Sequence, residues 1–147
     1  MHDTKLLILS LIVDANILIS VLIRPGGYTA SIFFDKRITL YAPLYLKEEL
    51  LDHIHEMSSR SKLTLAEIKK AIEIICKHII IVDPNIFENE RRKGYKISPD
   101  YDDAEYMSLA LHKGYPLWSN DKKLKQQASI EVLSTLEVKK LLLCKEQ

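Results

Sequence analysis

The chain has 147 residues, 47% of them apolar, with only 4 Gly and 5 Pro. That is the make-up of one compact domain spanning 1–147, and it excludes a disordered or fibrous protein. Lysine and arginine number 21 against 20 aspartates and glutamates, a net charge of +1, so no global field announces a nucleic-acid or membrane partner and any such partner is met by a local patch.

Taken from the N-terminus, residues 6–23 read LLILSLIVDANILISVLI, an apolar stretch that superficially resembles a signal or membrane segment. Asp14 and Asn16 lie near its middle, however. A carboxylate at that depth opposes membrane insertion by about 2.5 to 3.5 kcal/mol, and no A-x-A cleavage site follows. The better account is a strand over 6–13, apolar throughout because both faces are covered in a parallel sheet, with Asp14 at its carboxyl end and a helix over 15–23. RPGG at 24–27 makes a turn. A short helix is expected over 29–35, and ITLYA at 38–42 is a second strand stopped by Pro43.

The segment 44–57, LYLKEELLDHIHEM, is amphipathic, with Leu46, Leu50 and Ile54 recurring every four positions. Thr64 and Glu67 form a capping box that opens a helix through Cys76. IIIVD at 79–83 is the third strand, closed by Pro84, and residues 85–97 are expected to be a charged connector. Helix character returns over 104–112, with Gly114 placed to end it. PLWS at 116–119 and IEVLS at 130–134 are the fourth and fifth strands, and a last helix runs from about 135 to 143. Strands alternating with helices predict an α/β fold with a mostly parallel sheet, helices on both faces and right-handed crossovers. Cys76 and Cys144 are far apart, without metal-ligand spacing, as expected of free thiols in a reducing cytoplasm.

The chemistry concentrates in acids. Residues 100–105 carry Asp100, Asp102, Asp103 and Glu105, and Asp121 follows beyond an apolar run. In open α/β sheets ligands bind outside the carboxyl ends of the strands. Asp14 ends strand one, Asp121 follows strand four, Asp103 opens the helix before strand four, and Glu49 lies early in the helix after strand two. These four acids can therefore share one crevice. Crowded carboxylates raise one another's pKa unless a cation neutralises them, and Mg²⁺ or Mn²⁺, which prefer oxygen ligands and retain waters, suit such a set. Zinc-type His or Cys ligation is not evident, and His53 and His55, two apart on a helix, face different sides.

Each acid also has a local reading. Asp103 serves as a helix N-cap, Asp100 or Asp102 as a turn residue, one of Glu48 and Glu49 as a solvated charge favouring the helix dipole, and Asp121 as an exposed turn before two lysines. Asp14 resists this, because a charge directly continuing a buried strand is poorly explained by solvation.

Four segments in this order, IVDANILIS, APLYLKEEL, DYDDAEYMSLAL and PLWSNDKKL, resemble those of the PIN domain, the nuclease fold of VapC-type toxins and several RNA-processing nucleases. The resemblance runs from Leu6 to about Leu142. It implies a three-layer sandwich around a five-stranded sheet of order 3-2-1-4-5 and a homodimer. It also implies one or two Mg²⁺ or Mn²⁺ ions held by Asp14, Glu49, Asp103 and Asp121, which would be the catalytic and metal-binding residues. Glu49 matches rather than Glu48 because Leu50 directly follows it, and Asp103 rather than Asp102 because Ser108 and Ala110 fall at the family's spacing. Asn16 and Ser119 match supporting polar positions, with Asp102 as an outer ligand.

The activity so implied is metal-dependent hydrolysis of RNA phosphodiesters in the cytoplasm, with an antitoxin protein as a partner. Arg24, Arg37, Lys122 and Lys123 lead the candidates for holding substrate, with Lys36, Arg91, Arg92 and Lys93 behind them; for any one of these a solvated face is an equal reading. A haloacid-dehalogenase-type phosphatase needs an acid where Asn16 stands. A receiver domain would use Asp83, with Lys122 imitating its lysine, and would leave Glu49 and Asp103 without a role. A non-catalytic PIN-like module binding RNA or protein also competes, since Lys122 and Lys123 can neutralise Asp121.

Overall fold

The computed structural model describes residues 8–145. Five strands, β1 (Leu9–Val13), β2 (Ile38–Pro43), β3 (Ile79–Val82), β4 (Leu117–Trp118) and β5 (Val132–Leu133), form one all-parallel sheet in the order β3-β2-β1-β4-β5. This is the expected order. Positions 6 and 7 of the expected first strand lie outside the described residues. The apolar run is explained by position: β1 is central, pairing Ile12 with Tyr41 on one side and with Leu117 on the other. Leu11, Ile12 and Val13 are completely buried.

The helices are α1 (Ala15–Ile23), α2 (Tyr28–Phe33), α3 (Tyr45–Asp52), α4 (Ile54–Ser61), α5 (Leu65–Cys76), α6 (Arg91–Ile97), α7 (Ala104–Lys113) and α8 (Thr135–Lys145). α1 packs with α2 to α5, whereas α7 packs on β1, β2 and β4 with α6 behind it, giving helix, sheet and helix layers. Among the described residues no helix is long and apolar enough to cross a membrane. The Thr64–Glu67 capping box opens α5 with both reciprocal hydrogen bonds, and Gly114 ends α7 at φ 71°, a left-handed conformation that costs glycine little.

Two sequence expectations need correction. The connector at 85–97 is helical: a 3₁₀ helix over Pro84–Glu90 leads directly into α6. Its charge pattern hides two packing positions, Phe87, wholly buried, and Gly94, which is pressed against α7. The amphipathic 44–57 segment is two helices rather than one, because His53, at φ −100° and ψ 12°, interrupts the helical backbone between α3 and α4.

The topology bears on the receiver-like reading. β3 is an edge strand separated from β1 by β2, so Asp83 ends a strand about 10 Å from the one that ends in Asp14. The Asp83 carboxylate accepts the Asn85 backbone N–H at 2.9 Å, as a turn residue does. The order also differs from the 2-1-3-4-5 of receiver-like sheets.

A Cβ at Gly94 would lie 1.9 Å from Ser108 Oγ and 3.0 Å from Ser108 Cα, so alanine there forces α6 off α7. Gly94→Ala is expected to destabilise the protein by about 1 to 3 kcal/mol. Gly26→Ala, where nothing lies within 4 Å, is expected to change stability little. Urea denaturation of the two variants checks this contrast.

Candidate functional site

The site is built on the carboxyl edge of β1 and β4. Val13 is in register with Trp118, and the ladder continues one residue further: the Asp14 N–H donates to the Trp118 carbonyl at 3.1 Å and the Ser119 N–H to the Leu133 carbonyl at 3.0 Å. Asp14 and Ser119 are thereby set side by side. The Ser119 hydroxyl donates to Asp14 Oδ2 at 2.7 Å, while its oxygen accepts the Asp121 backbone N–H at 3.1 Å. Both side chains are buried, Asp14 with 6% and Ser119 with 1% of their surface exposed. Burial pushes the Asp14 carboxyl above its ordinary pKa, the Ser119 hydroxyl and the Asn16 N–H pull it back, and the Asp121 charge raises it further.

The other acids converge on it from three elements. Glu49 comes from α3 and Asp103 from the residue before α7, and each is pushed up to about 7. For both the largest cause is burial; Asp14 adds to it in each case, and Asp121, Asp100 and Glu49 add to it at Asp103. Asp103 precedes α7 as its N-cap but makes no side-chain capping bond, so its carboxylate is not consumed by the helix end. Asp121 is partly engaged, its Oδ1 accepting the Lys123 N–H at 3.0 Å. The four predicted acids are thus brought within electrostatic reach of one another.

A family model for the PIN domain matches residues 12–141, which takes in all four acids. The chain belongs to the PIN-domain family. Among solved structures, a chain of VapBC2 from Rickettsia felis, crystallised with a DNA fragment from the promoter, aligns with TM-score 0.61 and 15% identity over 86% of this chain and 98% of its own. PAE2754 from Pyrobaculum aerophilum aligns with TM-score 0.61 and 14% identity over 95% of this chain and 90% of its own. No curated protein matches by sequence.

The donor set of this PIN domain fits a hard divalent cation. Every candidate ligand is a carboxylate, and Glu49 Oε1 is buried without a hydrogen-bonding partner, the condition of an atom awaiting a cation or a donor. Among the described residues, however, no group of three or more carboxylates, imidazoles or thiols is gathered closely enough to hold a metal ion as it stands.

The remaining predicted residues divide. Ser119 supports Asp14 as described. Asn16 reaches the site through its backbone N–H, while the residue itself is exposed. Asp102 is exposed and accepts the Tyr45 hydroxyl at 3.2 Å. Lys122 and Lys123, both exposed, open the 3₁₀ turn immediately after Asp121. Arg24 caps the far end of α1, about 15 Å from Asp14 by helical rise, where with Arg60, Ser20, Tyr28 and Thr29 it lines a cleft of about 360 Å³.

Arg37 is not brought to the crevice. It precedes β2 at the amino edge of the sheet, paired with Asp35 at 2.7 Å and donating to the Leu142 carbonyl at 3.1 Å. Two tyrosines escaped the sequence reading: Tyr45, one helical turn before Glu49, and Tyr106, one turn after Asp103. Spacings of four and three from acids already singled out place them on the same helix faces and are the signal that could have found them.

The raised acids fix the sign of a pH dependence. Glu49 and Asp103 titrate near 7 when folded, against ordinary values of 4.5 and 3.8. Between those limits the folded chain binds more protons than the unfolded one, so stability falls as pH rises. Without divalent cation the melting temperature is expected to be lower at about pH 8 than at about pH 5. Asp103→Asn is expected to shrink this difference, and so is Mg²⁺, in thermal melts across that range.

Proposed function

We propose that this PIN domain is a Mg²⁺- or Mn²⁺-dependent nuclease, an endoribonuclease that hydrolyses RNA phosphodiesters as the toxin of a toxin–antitoxin pair. The observation that carries this reading is the convergence of Asp14, Glu49, Asp103 and Asp121, from four separated parts of the sequence, at the carboxyl edge of the sheet, with each of Glu49 and Asp103 driven up to about 7. Membership of a family whose proteins are usually nucleases supports the reaction class. The VapBC2 likeness supports an antitoxin as partner.

In this reading the four carboxylates would hold the cation, with Asp14 oriented by the Ser119 hydroxyl. A bound divalent ion supplies Lewis acidity to the scissile phosphoryl group and lowers the pKa of water for in-line attack. The chain itself needs no covalent nucleophile. Its further task is to hold a polyanion against an acidic mouth, and Lys122 and Lys123 beside Asp121, with Arg24 further along α1, offset that repulsion.

A second reading, a non-catalytic binding module, draws on one observation: Asp121 already accepts the Lys123 N–H, as a plain turn residue would. Cleavage of a mixed single-stranded RNA pool separates the two. Wild type is expected to cut with Mg²⁺ or Mn²⁺ and not with EDTA. Asp14→Asn, which removes a direct ligand, is expected to lose more than the ~10- to 100-fold typical of supporting residues. Equal inactivity of two folded proteins would instead favour the binding module.

A further inference from the structure

Beneath the acidic crevice lies a buried hydroxyl without a well-formed hydrogen bond. Tyr106, on α7, is 1% exposed, and its Oη makes no hydrogen bond. Glu49 Oε1, on the facing helix α3, is buried in the same unpartnered condition. The two groups are near enough to interact: the Tyr106 hydroxyl lowers the Glu49 pKa, against the burial that raises it. A phenylalanine would fill the same space without burying an orphaned oxygen, which is a cost to folding.

The surroundings narrow what this hydroxyl can serve. The neighbouring Tyr45 ring lies 6.4 Å from that of Tyr106, but the Tyr45 hydroxyl is committed to Asp102 at 3.2 Å. Tyr106 also follows Asp103 by one helical turn, so α7 brings the acid and the phenol toward α3 together.

We propose that Tyr106 is the positioning residue for Glu49: its hydroxyl closes onto Oε1 and thereby aims the second carboxylate oxygen, Oε2, into the crevice. The proposal rests on the metal-site reading above. It gives Glu49, held on a helix rather than at a strand end, the counterpart of what Ser119 does for Asp14. Partners of this kind orient a ligand and raise its affinity for a cation without touching the ion.

The test is Mn²⁺ affinity by titration calorimetry of the full chain, for wild type, Tyr106→Phe, Glu49→Gln and the double variant, with melting temperatures taken without metal. Tyr106→Phe is expected to weaken Mn²⁺ binding about tenfold, to melt no lower than wild type, and to have no further effect once Glu49 is Gln. Wild-type affinity in Tyr106→Phe, with Glu49→Gln weakened, would overturn the role of Tyr106 and leave the metal site standing. An equal loss in both backgrounds, or a lower melting temperature, would overturn it as well, because the tyrosine would then act on the fold rather than through Glu49. Absence of Mn²⁺ binding by folded wild type would overturn the metal-site reading itself.

Discussion

Everything at the carboxyl edge of the sheet depends on one unfavourable fact, a carboxylate placed directly after a fully buried strand. Asp14 cannot move into water without breaking the β1–β4 ladder, in which its own N–H is held by Trp118. Its charge must be accommodated where it stands. The Ser119 hydroxyl and the first amides of α1 supply part of that. Three further carboxylates supply the opposite, and in the proposed reading a bound cation would offset their mutual repulsion.

The scaffold around this constraint is stiff where it has to be. β4 is only two residues long, yet Trp118 is completely buried and its indole N–H donates to the Thr135 hydroxyl at 3.1 Å. Asn120 bonds the same threonine twice, through its amide to the hydroxyl at 2.9 Å and through its carbonyl to the backbone N–H at 2.8 Å. The loop carrying Ser119 and Asp121 is therefore pinned to the start of α8. Glu49 and Asp103, by contrast, sit on helices that approach the edge from outside the ladder, with fewer bonds fixing their carboxylates.

Much of this was legible in the sequence because local physics and tertiary position agree. A long apolar run ended by an acid reads as a buried strand delivering a charge to its carboxyl end, and β1 is such a strand, wholly buried from Leu11 to Val13. Thr64 with Glu67, and Gly114, announce helix ends that the backbone adopts. The misreadings share a cause: Phe87 and Gly94 are single packing positions in a charged stretch, and their meaning comes only from folding, which buries Phe87 and sets Gly94 against Ser108 of α7. His53 breaks the 44–57 helix without any proline or glycine to announce it. Arg37 resembled a substrate ligand by charge alone, and only the direction of β2 sends it to the opposite edge. A second capping box, in which the Ser134 N–H donates to Glu137 at 3.0 Å and the Glu137 N–H to the Ser134 hydroxyl at 3.2 Å, was present in the sequence and went unread. The orphaned hydroxyl of Tyr106 was not legible at all, since the absence of a partner is a property of three-dimensional packing.

The central claim is that Asp14, Glu49, Asp103 and Asp121 are one cation-holding set rather than four separate surface charges. The most direct measurement is the anomalous diffraction of crystals soaked in Mn²⁺. The account predicts a peak in the crevice, bounded by Asp14 and Asp121 on the β1–β4 edge with Glu49 or Asp103 across from them. An open crevice without a peak at saturating Mn²⁺, or manganese bound only at other surface acids, would contradict it.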